Sequence, residues 1–405
     1  MARNRIIRSA PTYLATTEAH PLPIVMSVRH PPPHPDLPPG CEPRCPGCHH
    51  RHLSATASEA RKQAFLHRLL APWQDRLGAL EAVSGAARHG YRDRVCLHAH
   101  WRGDGWDLGL LTDDTVVPIP HCPVHSTRVR QSARLLADAL PPMPLAYLVQ
   151  AGAQLTLVLK DHHPPPLDWL DHTLITALGD AGVEGLWLHL NPSAGRRLFL
   201  KRGWRLLHGQ PRSRNRDGLW YGPAAFQQPI PALARRVLDL AEQWLAPGPE
   251  RPLLDLYCGR GAGLVRWGRA GATCLGVELG AEAVACARDN APQAIVLQGA
   301  CATRLPQLEA WRRDRRQPPA VYLNPPRTGL EAALLDWLVE SCRAPRLAYL
   351  SCSAGTLARD LTRLEAGGYR LARLQPYDFF PQTHHVETLA LLERVDNPGD
   401  ARAHV

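Results

Sequence analysis

No run of about 18 or more consecutive apolar residues occurs in the 405-residue sequence, which excludes a membrane-spanning helix. Lysine is nearly missing. Of 47 basic residues only Lys62, Lys160 and Lys201 are lysine, and the rest are arginine. Arginine suits bidentate contact with phosphate, and a formal charge of +10 with a pI near 9.3 suits a polyanionic partner. Codon bias would leave the same arginine excess. No acidic residue precedes Glu18 in an arginine-rich start, a faint echo of a transit peptide. No secretory signal is recognisable, so the 11 cysteines are expected in a reducing cytoplasm, where clustered cysteines mean metal or catalysis rather than disulfides. No internal repeat is apparent.

What is present falls into regions. Residues 1–40 are proline-rich, as in Pro31 to Pro35, and lack a sustained apolar period; they are expected to be disordered. Residues 397–405 are expected to form a flexible tail. Between residues 41 and 222 an α+β domain is predicted. It has an amphipathic helix over Ser58 to Leu70, then strands over Arg94 to Trp101, Trp106 to Leu111, Leu155 to Lys160, Leu186 to Asn191 and Arg197 to Lys201. Helices are predicted over Arg128 to Leu140 and Leu167 to Leu178. The arginines at 196, 197, 202, 205, 212, 214 and 216, with Trp187, Trp204 and Trp220, could grip nucleic acid through phosphate contacts and base stacking, or form a solvated face over core tryptophans.

From about residue 223 to 396 strands alternate with helices. Strands are predicted over Leu253 to Tyr257, Thr273 to Glu278, Ala294 to Gln298, Ala320 to Asn324, Leu347 to Ser351, Tyr369 to Leu374 and Thr388 to Glu393. This is a doubly wound α/β sheet, whose ligands bind at the carboxyl ends of its strands. Cys352 falls at such an end, just before a helix over Thr356 to Leu364, and a helix amino terminus favours the thiolate that attacks electrophiles. Gly259, Gly261 and Gly263 follow the first strand and let backbone approach a ligand closely. Glu278, some 20 residues on, can accept ribose hydroxyls, so the pair fits NAD or adenosylmethionine equally. Asn324 to Arg327 carries two prolines that aim Asn324 and Arg327 over the same crevice. His384, His385 and Glu387 precede the last strand. Cys41, Cys45 and Cys48 can converge on one soft metal centre, with Cys122 or a local histidine closing it; zinc and an iron–sulfur cluster fit the spacing equally.

Taken together, five motifs in order resemble the RNA uracil-C5 (5-methyluridine) methyltransferase family. They are Asp255 to Gly259, Gly276 to Glu278, Asn324 to Arg327, Ser351-Cys352 with Thr356 to Asp360, and Phe380 to Glu387. The resemblance covers roughly residues 41–395. It is nearest to the branch acting on 23S ribosomal RNA, which has an Asn-Pro-Pro-Arg motif, an iron–sulfur cluster and no added amino-terminal barrel. The transfer-RNA branch and a catalytically inactive RNA-binding homologue are the alternatives. A nitrogen methyltransferase would be expected to carry an aromatic residue where Arg327 stands.

The resemblance implies a carboxyl-terminal class I, Rossmann-like methyltransferase domain after an α+β RNA-binding domain with a cysteine-ligated cluster. It makes Cys352 the nucleophile and Glu387 the base. Gln228, Tyr257, Gly259, Gly261, Glu278 and Asn324 become S-adenosyl-L-methionine contacts, and Arg327 a substrate contact. Cys41, Cys45, Cys48 and Cys122 become ligands of a 4Fe–4S cluster. RNA is the implied partner, bound by a monomer without a membrane. The chain departs from the family pattern at Ile230, Ala262 and Ser353.

Overall fold

The computed structural model describes residues 37–395 apart from Arg196. The disorder expected over residues 1–40 lies outside the described residues except at 37–40, and so does the tail expected at 397–405. Among the described residues no helix is long and apolar enough to cross a membrane.

Two seven-stranded sheets organise the chain. The first runs in the order β3-β2-β1-β4-β5-β6-β7, from β1 (Arg94–Trp101), β2 (Trp106–Thr112), β3 (Thr115–Pro118), β4 (Leu145–Ala151), β5 (Gln154–Leu159), β6 (Gly185–Leu190) and β7 (Trp204–Gly209). Only β5 and β6 pair in parallel. Before it comes helix α1 (Ala55–Leu69); α2 (Thr127–Ala139) and α3 (His172–Asp180) bury Val129, Leu136, Leu174 and Leu178 against one face of this sheet. A short hairpin, β8 (Ser213–Arg214) with β9 (Trp220–Tyr221), leads out of it.

The second sheet has the order β12-β11-β10-β13-β14-β16-β15, built from β10 (Leu253–Leu256), β11 (Cys274–Glu278), β12 (Ile295–Gln298), β13 (Ala320–Leu323), β14 (Arg346–Ser351), β15 (Tyr369–Tyr377) and β16 (Glu387–Arg394). Helices α4 (Pro231–Leu245), α5 (Ala262–Arg269) and α6 (Ala281–Asn290) cover one face; α7 (Leu305–Arg313), α8 (Ala332–Trp337) and α9 (Ala354–Ala366) cover the other. Strands buried on both faces read as unbroken apolar runs. Leu253, Leu254 and Leu256 are each 0% exposed, and each such leucine contributes on the order of 1.5–3 kcal/mol of burial. The chain winds outward from β10 to β12 and returns on the other side at β13. The strand order therefore reverses between β10 and β13, where a crevice opens.

Three expectations need correction. Arg197 to Lys201 is not a strand. Its backbone is held by side chains instead: Asn191 Nδ2 donates to the Arg197 and Leu198 carbonyls (2.7 and 3.1 Å), and Leu200 N donates to His189 Nε2 (3.0 Å). The helix expected from Leu167 begins at His172, because Asp171 caps it by accepting from Leu174 N (2.8 Å). The boundary at 222/223 also leaves out part of the second unit. Leu66, Leu70 and Trp73 pack into the core of the second sheet, and Leu77 and Glu81 form bridges to Leu374 and Tyr377 of β15.

Candidate active site

The crevice is edged by strand ends, and the predicted site residues lie at them. Beyond β10, Tyr257 takes a left-handed conformation (φ +62°), an uncommon one for a bulky residue. Its hydroxyl donates to Glu331 Oε2 at 3.3 Å. Gly261, at φ +81°, caps α5, and a Cβ there would meet Ala287 Cα at 3.1 Å. Ala262 is simply the first residue of that helix. Glu278 ends β11, and its two oxygens accept from Gly259 N (3.0 Å) and Gly280 N (2.7 Å). A carboxylate so fixed keeps free lone pairs for a diol, beside a glycine turn whose Gly259 has open space where a Cβ would stand. These residues fit a nucleoside cofactor.

Asn324 follows β13 and its N–H donates to the Leu256 carbonyl (3.2 Å), tying the two strand ends at the switch point. The turn beyond it is held by α9. Thr356 Oγ1 donates to the Arg327 carbonyl (3.2 Å); the wholly buried Asp360 accepts from Leu330 N (2.9 Å) and from the Tyr349 hydroxyl (2.8 Å). The four-residue spacing of Thr356 and Asp360 puts both on one helix face, which explains why that motif accompanies Cys352.

Cys352 is half-buried immediately after β14, with Ser353 capping α9. β14 pairs antiparallel with β16 in a register that sets Ser351 opposite Thr388. Cys352 and Glu387 each lie one residue beyond that pair, near enough for the Glu387 charge to act on the thiol. Glu387 is 4% exposed, and burial raises its carboxyl to about 7, against the pull of Gln228, whose Nε2 donates to Oε2 at 2.8 Å. The same surroundings oppose the thiolate expected at Cys352. Burial, then the Glu387 charge, raise the thiol above its ordinary value, and the adjacent Arg327 only partly opposes them. Gln228, expected against the cofactor, also holds Glu387 through its Nε2. Ile230 is buried at the start of α4 and supplies no side-chain cap.

His49, His384 and His385 stack beside this edge, His384 lying 4.3 Å from each neighbour between ring centroids. Burial lowers His385 to about 4, so it is neutral at physiological pH.

Cys41, Cys45, Cys48 and Cys122 line one cavity together with Ile119, Pro123, Val124 and Gln382. Burial pushes the Cys48 thiol up to about 12, with Cys122 and Cys45 adding to it. Gly47 N donates to Cys45 Sγ at 3.4 Å. Among the described residues no group of three or more His, Cys, Asp or Glu side chains converges closely enough to hold a metal ion. In a tetrahedral zinc site with bonds of about 2.3 Å, the sulfurs would lie roughly 3.8 Å apart.

In the basic region Arg212 is paired with Asp289 (2.5 Å) and Arg214 lies over Trp220 (4.2 Å). Trp187, His189, Phe199 and Trp204 pack on one another. Those tryptophans serve packing first. The sequence offered no sign of the Gln228–Glu387 bond, which joins residues 159 positions apart.

A family model described as tRNA (Uracil-5-)-methyltransferase matches residues 304–395. The chain is 31% identical to an uncharacterized RNA methyltransferase of Thermosynechococcus vestitus, over 86% of this chain and 82% of the relative. It is 30% identical to the 23S rRNA (uracil(1939)-C(5))-methyltransferase of Pseudomonas fluorescens, over 86% of this chain and 78% of that one. Among solved structures it is similar to the Pyrococcus abyssi tRNA (uracil-54, C5)-methyltransferase in complex with S-adenosyl-L-homocysteine. The TM-score there is 0.65 at 22% identity, covering 86% of each chain, and the likeness is one of fold.

Proposed function

The chain belongs to the RNA uracil-C5 methyltransferase family, and from that premise we propose that it methylates a uridine of 23S ribosomal RNA through a covalent Cys352 adduct. It is an S-adenosylmethionine-dependent enzyme of class I. The observation that supports the mechanistic reading is the electrostatic contact between Cys352, just past β14, and the buried, high-pKa Glu387 that begins β16.

Carbon 5 of uracil is a weak nucleophile. The Cys352 thiolate adds to carbon 6, forming the S–C6 bond and shifting the electron pair of the 5,6 double bond toward carbon 5. Bound adenosylmethionine supplies the electrophilic methyl, with Gly259, Gly261, Tyr257, Glu278 and Asn324 as its contacts. The saturated adduct still carries the carbon 5 proton. Glu387 removes that proton, the 5,6 double bond re-forms, and the S–C6 bond breaks to return the thiolate. A carboxylate near pKa 7 is suited to this step, being ionised about half the time at neutral pH and basic enough to take a proton. Gln228 fixes which oxygen points inward, and Arg327 supports the thiolate and the bound nucleotide. A uridine inside a stem cannot reach this edge, so the target is flipped or looped out.

The assignment to 23S rather than transfer RNA rests on the names of the full-length relatives and on the Asn-Pro-Pro-Arg turn. Nucleoside mass spectrometry on RNA from cells lacking the gene tests it. We expect 5-methyluridine to fall in 23S RNA by one site or more and to stay constant in transfer RNA. Loss from transfer RNA alone would move the substrate; no loss in either would remove the proposed function.

We further assign Cys41, Cys45, Cys48 and Cys122 to a 4Fe–4S cluster. Four thiols lining one apolar cavity suit a centre in which each would bind a separate iron. Anaerobically purified protein should be brown, with broad absorbance near ~400 nm from thiolate-ligated iron. Cys45→Ala should lose the colour and the iron, whereas Cys274→Ala should keep both. Stoichiometric zinc without iron would overturn the assignment.

A further inference from the structure

The reaction above makes no use of the most deeply buried charge near its base. α1 buries a stripe at four-residue spacing: Ser58, Lys62 and Leu66, with Leu70 just past its end. Leu66 and Leu70 join the apolar core, but Ser58 and Lys62 face the connection between β15 and β16, residues 378–386, which delivers Glu387. Lys62 Nζ donates to Asp378 Oδ1 at 2.5 Å and to the Phe380 carbonyl at 2.9 Å. Both side chains of the pair are 0% exposed. Asp378 Oδ1 also accepts from Phe380 N (3.2 Å). One helical turn earlier, Ser58 Oγ donates to the Pro381 carbonyl (3.2 Å), which leaves His50 Nδ1 to donate to that hydroxyl (2.9 Å).

The connection has no helix or strand of its own to hold it. Its backbone groups at Phe380 and Pro381 are met by α1 and by Asp378. Thr383 N and Oγ1 also donate to the Phe380 carbonyl (2.9 and 3.0 Å), Arg88 donates to the Pro381 carbonyl (3.4 Å), and Gln382 Nε2 donates to the Arg88 carbonyl (2.9 Å). Stability alone does not call for a buried ion pair, since well-packed apolar residues of similar volume often serve as well or better. What the pair supplies is direction. An ammonium group bonded at once to a carboxylate and to a carbonyl two residues on allows one path for the chain.

We propose that Lys62 is a positioning residue for Glu387, setting through Asp378 and Phe380 the place at which the base meets the carbon 5 proton. This rests on Glu387 being the base. It predicts damage to one chemical step only. Addition of Cys352 and methyl transfer use β14 and the switch-point crevice, which Lys62 does not touch; proton removal uses β16.

The test uses the full-length enzyme, methyl-labelled adenosylmethionine and unmodified 23S RNA transcript. Lys62→Met keeps the side-chain length and removes the charge. First-turnover methyl incorporation should stay within about threefold of the parent, while breakdown of the covalent complex slows by about tenfold or more, a part of the ~10²–10⁴ that a positioned base provides. Methylated RNA should then accumulate bound to protein on a denaturing gel. A merely structural role would slow both steps together. Lys62→Met paired with Asp378→Leu leaves no unpaired charge, so it should melt near the parent yet still release RNA slowly; it carries the test if Lys62→Met does not fold. Parental release by either folded variant, or equal slowing of both steps, overturns the proposal. The reading of Cys352 fails separately if the parent forms no covalent complex with 5-fluorouridine-substituted transcript.

Discussion

Cys352→Ala should abolish methyl transfer and leave adenosylmethionine affinity within about twofold of the parent, since a nucleophile acts in the chemical steps and not in cofactor binding. The proposed cofactor contacts stand at the ends of β10, β11 and β13, whereas Cys352 stands beyond β14. The thiol is only half-buried, so its removal leaves little cavity and the fold should persist. Isothermal titration with adenosylmethionine and incorporation of labelled methyl into RNA separate the two quantities. Full turnover by Cys352→Ala, or a covalent RNA complex formed without the thiol, would sink the mechanism. Loss of both activity and cofactor binding would point to a structural role for the cysteine.

Glu387→Gln has an opposite signature. The amide keeps the shape and can still bond to Gln228, but it cannot take the carbon 5 proton. Methyl transfer should occur about once per enzyme and stall, and the complex should decay over hours if the base supplies ~10²–10⁴-fold. The same variant carries a stability prediction. Burial raises the Glu387 carboxyl from 4.5 to about 7, so the folded chain holds this proton more tightly than the unfolded chain does. The stabilising effect of the proton is full below about 4.5 and is lost as pH rises toward 7. Above that, ionising the group costs the fold about 3 kcal/mol. Glu387→Gln, uncharged throughout, should therefore melt above the parent near pH ~8, with the gap closing toward pH ~4. A gap of the same size at both values would refute burial as the cause. Normal turnover would leave Cys352 in place and pass the base role to a neighbour, with His385 the first to examine.

Much of the second sheet was legible because its strands are buried on both sides. Leu253 to Tyr257 and Leu347 to Ser351 announce themselves as short apolar runs, and their ends fall where the structure puts the crevice. The first sheet was harder. Leu145–Ala151 and Trp204–Gly209 have mixed patterns, and the aromatic-flanked run at Arg197 to Lys201 looks like a strand until Asn191 and His189 take its backbone groups. The helix-terminus argument for Cys352 left out a quantity that no local pattern contains. How deeply the thiol is buried, and which charge lies beside it, depend on β16.

By itself, then, the sequence determined at which strand ends the candidate site residues lie, because apolar periodicity and turn residues are properties of neighbouring positions. It determined a glycine turn before α5, a carboxylate ending β11 and a cysteine ending β14. Only the tertiary structure decided how they meet. The antiparallel insertion of β16 beside β14 brings Glu387 near enough to Cys352 for its charge to act on the thiol, and Lys62 reaches Asp378 across 316 positions. Such pairings are chosen by burial and hydrogen bonding summed over the whole chain, so no stretch of sequence near either partner specifies them.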